Sequence, residues 1–305
     1  MVEYSVVIPV YNSALSLEEL IERIHKTLQG QNFNFEIICV NDCSTDDSWI
    51  KLKVLKEKFN DTLKIISLAK NFGQHSALFC GFTYAVGDFV ITIDDDLQHA
   101  PEDMLLLIEV AQKGKHEAVY GMSKESKPAS RKFVSWLWNF LTRKIDNGIG
   151  RGSAFRIMNR RVKNAIIKHP QGVIFIDEIM QWHTNLVGFV EVSHYPRKHG
   201  KSTYSPLGLF NFITKVSFSY STVPLKLLTL AGGFIAFVSF LGGLWFIFGK
   251  LFFDIEIQGI KALIVALLFS TSLLLIGIGL MGRYLNQIFI LLNNKPSFSV
   301  NDEIL

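Results

Sequence analysis

Three consecutive carboxylates, Asp94-Asp95-Asp96, end an apolar run over residues 89–93 that predicts a buried strand. Carboxylates gathered at the end of a strand repel one another unless a cation lies among them, and oxygen-only ligands suit Mg²⁺ or Mn²⁺. The triplet therefore predicts a divalent metal site that also holds a diphosphate. Taken alone, it is also compatible with a charged loop after a strand.

The chain before residue 204 alternates between strand-like and helical patterns, which predicts a mostly parallel sheet with helices on both faces. The predicted strands are residues 4–10, 35–40, 63–68 and 89–93, and the helical patterns cover 17–28, 47–59 and 74–86. Ligands of such sheets bind beyond the carboxyl ends of the strands. Polar clusters at 9–12, 41–46 and 94–96 follow three of these strands, so we expect them in one crevice. The first strand is not followed by a Gly-rich phosphate loop, which argues against a dinucleotide enzyme or a P-loop nucleotidase.

The carboxyl-terminal third of the chain is unusually apolar. The 305 residues are 49% hydrophobic, too long and too apolar for one ordinary soluble domain. Residues 225–248 and 260–281 are almost uncharged, and each run is long enough to cross a hydrocarbon core of about 30 Å as a helix. We expect a transmembrane hairpin; two buried core helices are the alternative.

Basic residues flank the predicted hairpin on one side. They are Lys201, Lys215, Lys226, Arg283 and Lys295, whereas the link at 249–259 has one lysine and two acids. The positive-inside rule therefore predicts that both chain ends are cytosolic. We expect a cytosolic domain over 1–204, an interfacial helix over 205–224, and a hairpin with a short cytosolic tail over 225–305. The net charge of +4, with basic residues clustered between 124 and 161, favours an anionic ligand or lipid headgroups over nucleic acid.

Four motifs in order carry a family resemblance. They are VIPVYN at 7–12, VNDCSTDD at 40–47, KNFG at 70–73 and IDDDLQHAPE at 93–102. They resemble the successive motifs of family 2 inverting glycosyltransferases, and most closely the branch that charges polyprenyl phosphate, such as dolichyl-phosphate mannose synthases and bactoprenol glucosyltransferases. The likeness spans nearly the whole chain, including the hairpin of the bacterial members.

The resemblance implies a GT-A type nucleotide-sugar-binding domain with a carboxyl-terminal transmembrane helical hairpin. The implied reaction is inverting, metal-dependent transfer of a hexose, with glucose as the expected sugar, from a UDP-sugar such as UDP-glucose to undecaprenyl phosphate. The implied location is the bacterial inner membrane, with a multi-pass chain, contacts to membrane lipids and a homotetrameric assembly.

The resemblance also assigns the donor side. Asp96 is implied as the direct metal ligand, Asp94 as a ribose or metal-water contact, and Asp95 as the variable middle residue. Asp42 resembles the aspartate that accepts the imide hydrogen of uracil; by its position alone it could instead cap the helix that starts near residue 46. The full predicted donor set is Pro9, Tyr11, Asn12, Asp42, Lys70, Asp94, Asp95 and Gln98. Lys70 could approach the diphosphate, but taken alone it is more typical of a solvated surface lysine.

The acceptor side is expected to be basic. Residues 131–144 predict an amphipathic helix at the membrane interface, or alternatively a core-facing helix. The predicted acceptor or gating residues are Arg131, Ser153, Arg156, Arg197, Lys201, Ser202 and Tyr204. The predicted catalytic residues are Asp94, Asp96, Arg131 and Arg156. The loop at 197–204 resembles a family segment and is otherwise a basic juxtamembrane linker.

One family position is altered. Ala154 stands where many relatives carry an aspartate that is sometimes proposed as the catalytic base. A lipid phosphate is largely dianionic at neutral pH, so it needs alignment more than deprotonation. Asp177 and Glu178 are substitute carboxylates.

Two other functions are compatible with parts of the pattern. A processive polysaccharide synthase would carry a Gln-x-x-Arg-Trp signature, but Gln181 is followed at once by Trp182. A membrane-anchored scaffold with an inactive transferase domain would explain Ala154, but not the retained carboxylates.

Overall fold

A computed structural model of the chain describes residues 2–123, 153–169, 176–196 and 296–305, together with scattered positions between 248 and 289. Two compact units divide the chain. The first comprises Met1–Lys201 and Lys295–Leu305, and the second comprises Ser202–Asn294.

The first unit alternates strands and helices, as predicted. Its elements are β1 (Tyr4–Val10), α1 (Leu17–Gln29), β2 (Phe35–Asn41), α2 (Ser48–Lys58), β3 (Leu63–Leu68), α3 (Gln74–Tyr84), β4 (Phe89–Thr92), a 3-10 turn (Pro101–Asp103), α4 (Met104–Lys113), β5 (Ala118–Ser123), β6 (Arg156–Asn159), α5 (Arg160–Ile167), α6 (Ile176–His183), β7 (Val187–Val192) and β8 (Val300–Ile304). The four predicted strands match β1 to β4 within one residue, and the three predicted helices match α1 to α3 within two.

The described strands form one sheet in the order β7-β5-β6-β4-β1-β2-β3-β8. β1 is parallel to both β2 and β4, and β2 is parallel to β3. The strand order reverses at β1, because the chain adds β2 and β3 on one side of it and β4 on the other. Such a switch point opens a crevice at the carboxyl ends of the strands. The loops after β4, β1, β2 and β3 therefore line one edge, in this order.

The central strands β1 and β2 are buried on both faces of the sheet, as their apolar sequences predict. Val6, Ile8 and Val10 of β1 join a core that contains the buried face of α1, whereas Val7 points to the opposite core with α3. This alternation follows from the two-residue period of a strand. The central strands thus fix the ends on which the crevice is built.

Residues 300–304 form an edge strand that sequence analysis did not predict. β8 pairs antiparallel with β3, although the chain between them includes the whole second unit. The predicted short tail is thus part of the sheet of the first unit.

The interfacial helix predicted over 205–224, and almost all of the spans predicted over 225–248 and 260–281, lie outside the described residues. No helix in the described part of the chain is both long and apolar enough to cross a membrane.

Gly81 lets α3 lie close to β1, and this close approach yields a prediction. A Cβ at Gly81 would lie 2.3 Å from Cγ1 of Val7. In a helix interior, alanine is ordinarily more stabilising than glycine by about 1 kcal/mol. Here we expect the opposite: Gly81→Ala should destabilise the fold by about 1–3 kcal/mol, because the added methyl group overpacks the contact. Denaturant unfolding of the full chain in detergent measures the difference.

The matched control is Thr83→Ala on the exposed side of the same helix, expected to change stability by less than about 0.5 kcal/mol. A Gly81→Ala variant as stable as the parent would contradict the close packing of α3 on β1.

Candidate active site

The acidic triplet begins two residues beyond β4, at the switch point of the sheet. Asp94 accepts a hydrogen bond from the side-chain amide of Gln74 at 2.6 Å, and Asp96 accepts one from the backbone N–H of Gln98 at 3.1 Å. Leu97 between them has a φ of 59°, an uncommon conformation for leucine that concentrates at functional sites. Both carboxylates lie on half-buried residues. Gln74, the first residue of α3, was missed by sequence reasoning because no acidic or basic group marks it.

Asp95 fastens the acidic loop to the loop after β1. Its carboxylate accepts hydrogen bonds from the backbone N–H of Tyr11 at 2.9 Å and from the Ser13 hydroxyl at 2.6 Å. Burial raises the pKa of Asp95 to about 6, although both hydrogen bonds oppose the rise. The Asp95 carboxylate thus has a structural role, and the donor-binding role predicted for it stays a prediction.

Asp42 holds the loop after β3. Its carboxylate accepts hydrogen bonds from the backbone N–H groups of Phe72 at 2.7 Å and Gly73 at 2.8 Å. Burial raises the pKa of Asp42, and the two backbone bonds lower it in part. Asp42 does not cap α2, whose N-cap residue is Asp47. The contact with the uracil base predicted for Asp42 is untested and would have to coexist with these two bonds.

The first loop is braced against the loop after β2. The Asn12 side-chain oxygen accepts a hydrogen bond from the backbone N–H of Thr45 at 2.8 Å, and the backbone N–H of Asn12 donates to the Ser44 hydroxyl at 3.0 Å. Pro9 lies inside fully buried β1, and the contact with the base predicted for it stays a prediction. Tyr11 is 39% exposed and Asn12 is exposed as well, but the Asn12 side-chain oxygen is already bonded to Thr45.

Lys70 and Gln98 occupy opposite ends of the crevice edge. The Lys70 ammonium lies over the Phe72 ring, 5.0 Å from its centroid, on an exposed residue of the loop after β3. The Gln98 carbonyl accepts a hydrogen bond from the backbone N–H of Tyr195 at 2.8 Å. The chain that leads into the basic loop at 197–204 therefore lies beside Gln98, two residues after the acidic triplet.

Arg156 is buried, and the acceptor-binding and catalytic roles predicted for it stay predictions. It is 1% exposed, it forms an ion pair with Asp177, and its Nε donates to the Thr92 hydroxyl at 3.3 Å. The Tyr120 hydroxyl donates to the same Asp177 carboxylate at 2.8 Å. Burial acts to lower the pKa of Arg156, but Asp177 and, to a smaller extent, Asp94 raise it above its ordinary value. Arg156 is thus a fixed positive charge near Asp94.

The other predicted acceptor residues are mostly undescribed. Ser153 accepts a hydrogen bond from the backbone N–H of Phe155 at 3.2 Å, which is a local turn contact. Arg131, Arg197, Lys201, Ser202 and Tyr204 lie outside the described residues, as does the side chain of Glu178. The Ala154 carbonyl accepts a hydrogen bond from the Thr92 hydroxyl.

Asp94 and Asp96 fit a divalent cation that shares its ligands with a substrate. Mg²⁺ is commonly bound by one or two carboxylates, with substrate phosphates and water completing its shell. Within the described ranges, no group of three or more His, Cys, Asp and Glu residues is arranged to hold a metal ion. Two carboxylates at an open crevice suit an ion that arrives with a diphosphate.

This fold and its carboxylate-lined switch point define a GT-A-like α/β domain of a glycosyltransferase. Residues 5–177 match the family described as Glycosyl transferase family 2. The chain belongs to this family.

Relatives extend the likeness to nearly full length. The chain is 32% identical to an uncharacterized glycosyltransferase of Synechocystis, over 99% of this chain and 95% of the relative. It is also 32% identical to a prophage-derived bactoprenol glucosyl transferase of Shigella flexneri, over 97% of this chain and 96% of the relative. The identity to an undecaprenyl-phosphate 4-deoxy-4-formamido-L-arabinose transferase of Pseudomonas aeruginosa is again 32%, over 97% of this chain and 88% of the relative.

A solved structure supports the fold. Glucosyl-3-phosphoglycerate synthase from Mycobacterium tuberculosis, in complex with Mn²⁺ and UDP-glucose, superposes with a TM-score of 0.52 over 71% of this chain and 77% of its own. Its sequence identity is 16%, so the likeness concerns the fold alone.

The bonds of Asp95 yield a prediction for the first loop. Asp95→Ala leaves the Tyr11 N–H and the Ser13 hydroxyl without their acceptor, so we expect the stability to fall by about 1–3 kcal/mol and the affinity for UDP to fall with it. Asp95→Asn keeps one carbonyl acceptor and should retain more of both. Denaturant unfolding and calorimetric titration with UDP and MnCl₂ measure the two effects.

Ser16→Ala is the matched control, because the Ser16 hydroxyl donates to the backbone carbonyl of Asp95 rather than to its carboxylate. UDP affinity that is the same in Asp95→Ala and the parent would show that this carboxylate does not shape the crevice.

Proposed function

We propose that the chain transfers a hexose, with glucose as the expected sugar, from a UDP-sugar to undecaprenyl phosphate at the cytoplasmic face of a bacterial membrane. Transfer inverts the anomeric carbon and requires Mg²⁺ or Mn²⁺. The observation that carries the proposal is the pair Asp94 and Asp96 at the switch point, in a chain related over nearly its whole length to transferases named for bactoprenol and undecaprenyl phosphate.

The donor is proposed to lie along the edge formed by the loops after β4, β1 and β2. Tyr11 offers an exposed ring for the base, and Asp94 and Asp96 face the diphosphate. A divalent cation between these carboxylates and the diphosphate would neutralise the charge that develops on the leaving group. Gln74 holds the Asp94 carboxylate by its amide, so this carboxylate is oriented before the donor arrives.

The acceptor phosphate is proposed to act as its own nucleophile. Its dianion needs an in-line position on the anomeric carbon rather than a base. Asp177 is bound to Arg156 and Tyr120, which suits a role in holding Arg156 near Asp94. We propose that Arg131 and the basic loop that follows Pro196 contact the acceptor phosphate.

A transmembrane hairpin between residues 225 and 281 remains part of the proposal. β8 belongs to the same sheet as β1 to β4, so the chain must return to the side that it left. Any membrane crossing in between therefore occurs an even number of times, as in a hairpin. Phe252, Leu267, Leu274 and Met281 are each more than half exposed, and exposed apolar side chains of this kind suit lipid contact. Homotetramer formation is also proposed, on the resemblance alone.

The identity of the sugar has a second candidate. The relative named for 4-deoxy-4-formamido-L-arabinose is as similar to this chain as the one named for glucose, at 32% identity. Sugar selection depends on the placement of a few hydroxyl contacts. Both donors therefore belong in the same assay.

The test is formation of a lipid-linked sugar. The purified full chain is incubated with undecaprenyl phosphate, Mg²⁺ or Mn²⁺, and a panel that includes UDP-glucose, UDP-galactose, UDP-N-acetylglucosamine, UDP-4-deoxy-4-formamido-L-arabinose and GDP-mannose. We expect product with UDP-glucose and its loss on chelation. Asp96→Ala should lower turnover by roughly 100-fold or more, as expected when a group that stabilises developing charge is removed.

Asp61→Asn is the control, because Asp61 is exposed at the amino end of β3, on the opposite edge of the sheet. It should retain parental turnover. If no donor yields a lipid-linked sugar, the proposed function is wrong, and near-normal turnover by Asp96→Ala would remove the metal assignment alone.

A further inference from the structure

The carboxyl-terminal segment 296–304 is attached to the end of β3. In β8, Val300 is paired with Leu68 and Asp302 with Ser67, with a register shift between them. The backbone N–H of Ala69 donates to the carbonyl of Ser299 at 2.8 Å. The pairing therefore extends to the last residue before the loop at 70–73.

The same segment also holds the body of α3. The Phe298 ring packs on Phe79, with 6.1 Å between the ring centroids. The Tyr84 hydroxyl, at the other end of the helix, donates to the Glu303 carboxylate. The segment thus grips α3 at two points that are separated by more than one helical turn.

The loop between these two attachments belongs to the donor crevice. Phe72 and Gly73 donate to Asp42, and Gln74, the first residue of α3, donates to Asp94. Ala69 precedes the loop and Phe79 follows it, so segment 296–304 contacts the chain on both sides of residues 70–74. A shift of either flank would move the two backbone N–H donors and the Gln74 amide together.

We propose that segment 296–304 is a positioning element of the donor site. Through its contacts with β3 and α3, it holds the loop at 70–73 and the start of α3 in place. The proposal rests on the proposed function in that it takes this crevice to be the nucleotide site. An edge strand supplied from the far end of the chain replaces open backbone groups of β3 with hydrogen bonds. The loop that β3 enters is thereby ordered before a nucleotide binds, which lowers the ordering cost of binding.

The experiment loosens the segment without removing it. The double variant Phe298→Ala/Glu303→Ala removes both side-chain contacts of the segment with α3 and leaves the crevice residues unchanged. We expect amide hydrogen exchange at residues 70–74 to become about 10-fold faster and the Kd for UDP with MnCl₂ to rise about 5- to 20-fold, at the lower end of typical coupling between sites. The midpoint of global unfolding and kcat at saturating donor should change little.

Two controls separate positioning from general damage. Glu303→Gln retains an acceptor for the Tyr84 hydroxyl and should restore most of the UDP affinity when combined with Phe298→Ala. Asn301→Ala alters an exposed residue of the same strand and should resemble the parent. If segment 296–304 still resists amide hydrogen exchange in the double variant, the chain is truncated after Lys295 instead. Exchange at residues 70–74 and the Kd for UDP are then measured in the truncated chain.

The positioning role is overturned if residues 296–304 exchange freely while residues 70–74 and the UDP affinity stay as in the parent. A parent chain without affinity for UDP would instead contradict the proposed function. Exchange at residues 70–74 would then decide the positioning role by itself.

Discussion

The hydrogen bonds that Asp95 accepts from Tyr11 and Ser13 fasten the loop after β1 to the loop after β4. Asp42 fastens the loop after β3 to the end of β2 by a similar use of a carboxylate on backbone N–H groups. Hydrogen bonds to an ionised acceptor are stronger than neutral ones. The parallel strands already bring their carboxyl ends to one edge. The two aspartates, together with the bonds of Asn12 to Thr45 and Ser44, therefore join four adjacent loops into one crevice.

The three neighbouring carboxylates have separate tasks. Asp95 is turned into the protein, and burial raises its pKa to about 6. Asp94 is oriented by Gln74 and lies near the buried positive charge of Arg156. The Asp96 carboxylate accepts a hydrogen bond from the backbone N–H of Gln98 in the turn that follows. The pair that we propose for a cation consists of the first and third residues of the triplet.

Local patterns in the sequence were sufficient for the first four strands, the helices between them and the location of the acidic triplet. Apolar runs of strand length and polar clusters at their ends carry this information directly. The order of the motifs was also sufficient for the family. The confirmed features are those that depend on residues close together in the chain.

The features that sequence analysis missed depend on distant residues. β8 is short and half exposed, and the whole second unit separates it from its partner β3 along the chain, so no local pattern indicated the pairing. The burial of Arg156 depends on Asp177, which reaches it from α6. The tasks of Asp42 and Asp95 were missed because a carboxylate in a motif does not reveal which backbone N–H groups it binds.

An experimental structure of the full chain with UDP and Mn²⁺ tests the central claim most directly. The account predicts that the diphosphate lies at the edge formed by the loops after β4, β1 and β2, with Mn²⁺ at roughly 2.2 Å from a carboxylate oxygen of Asp96 and Asp95 still bound to Tyr11 and Ser13. A nucleotide bound away from this edge, or a metal held by Asp95 in place of Asp96, would contradict it.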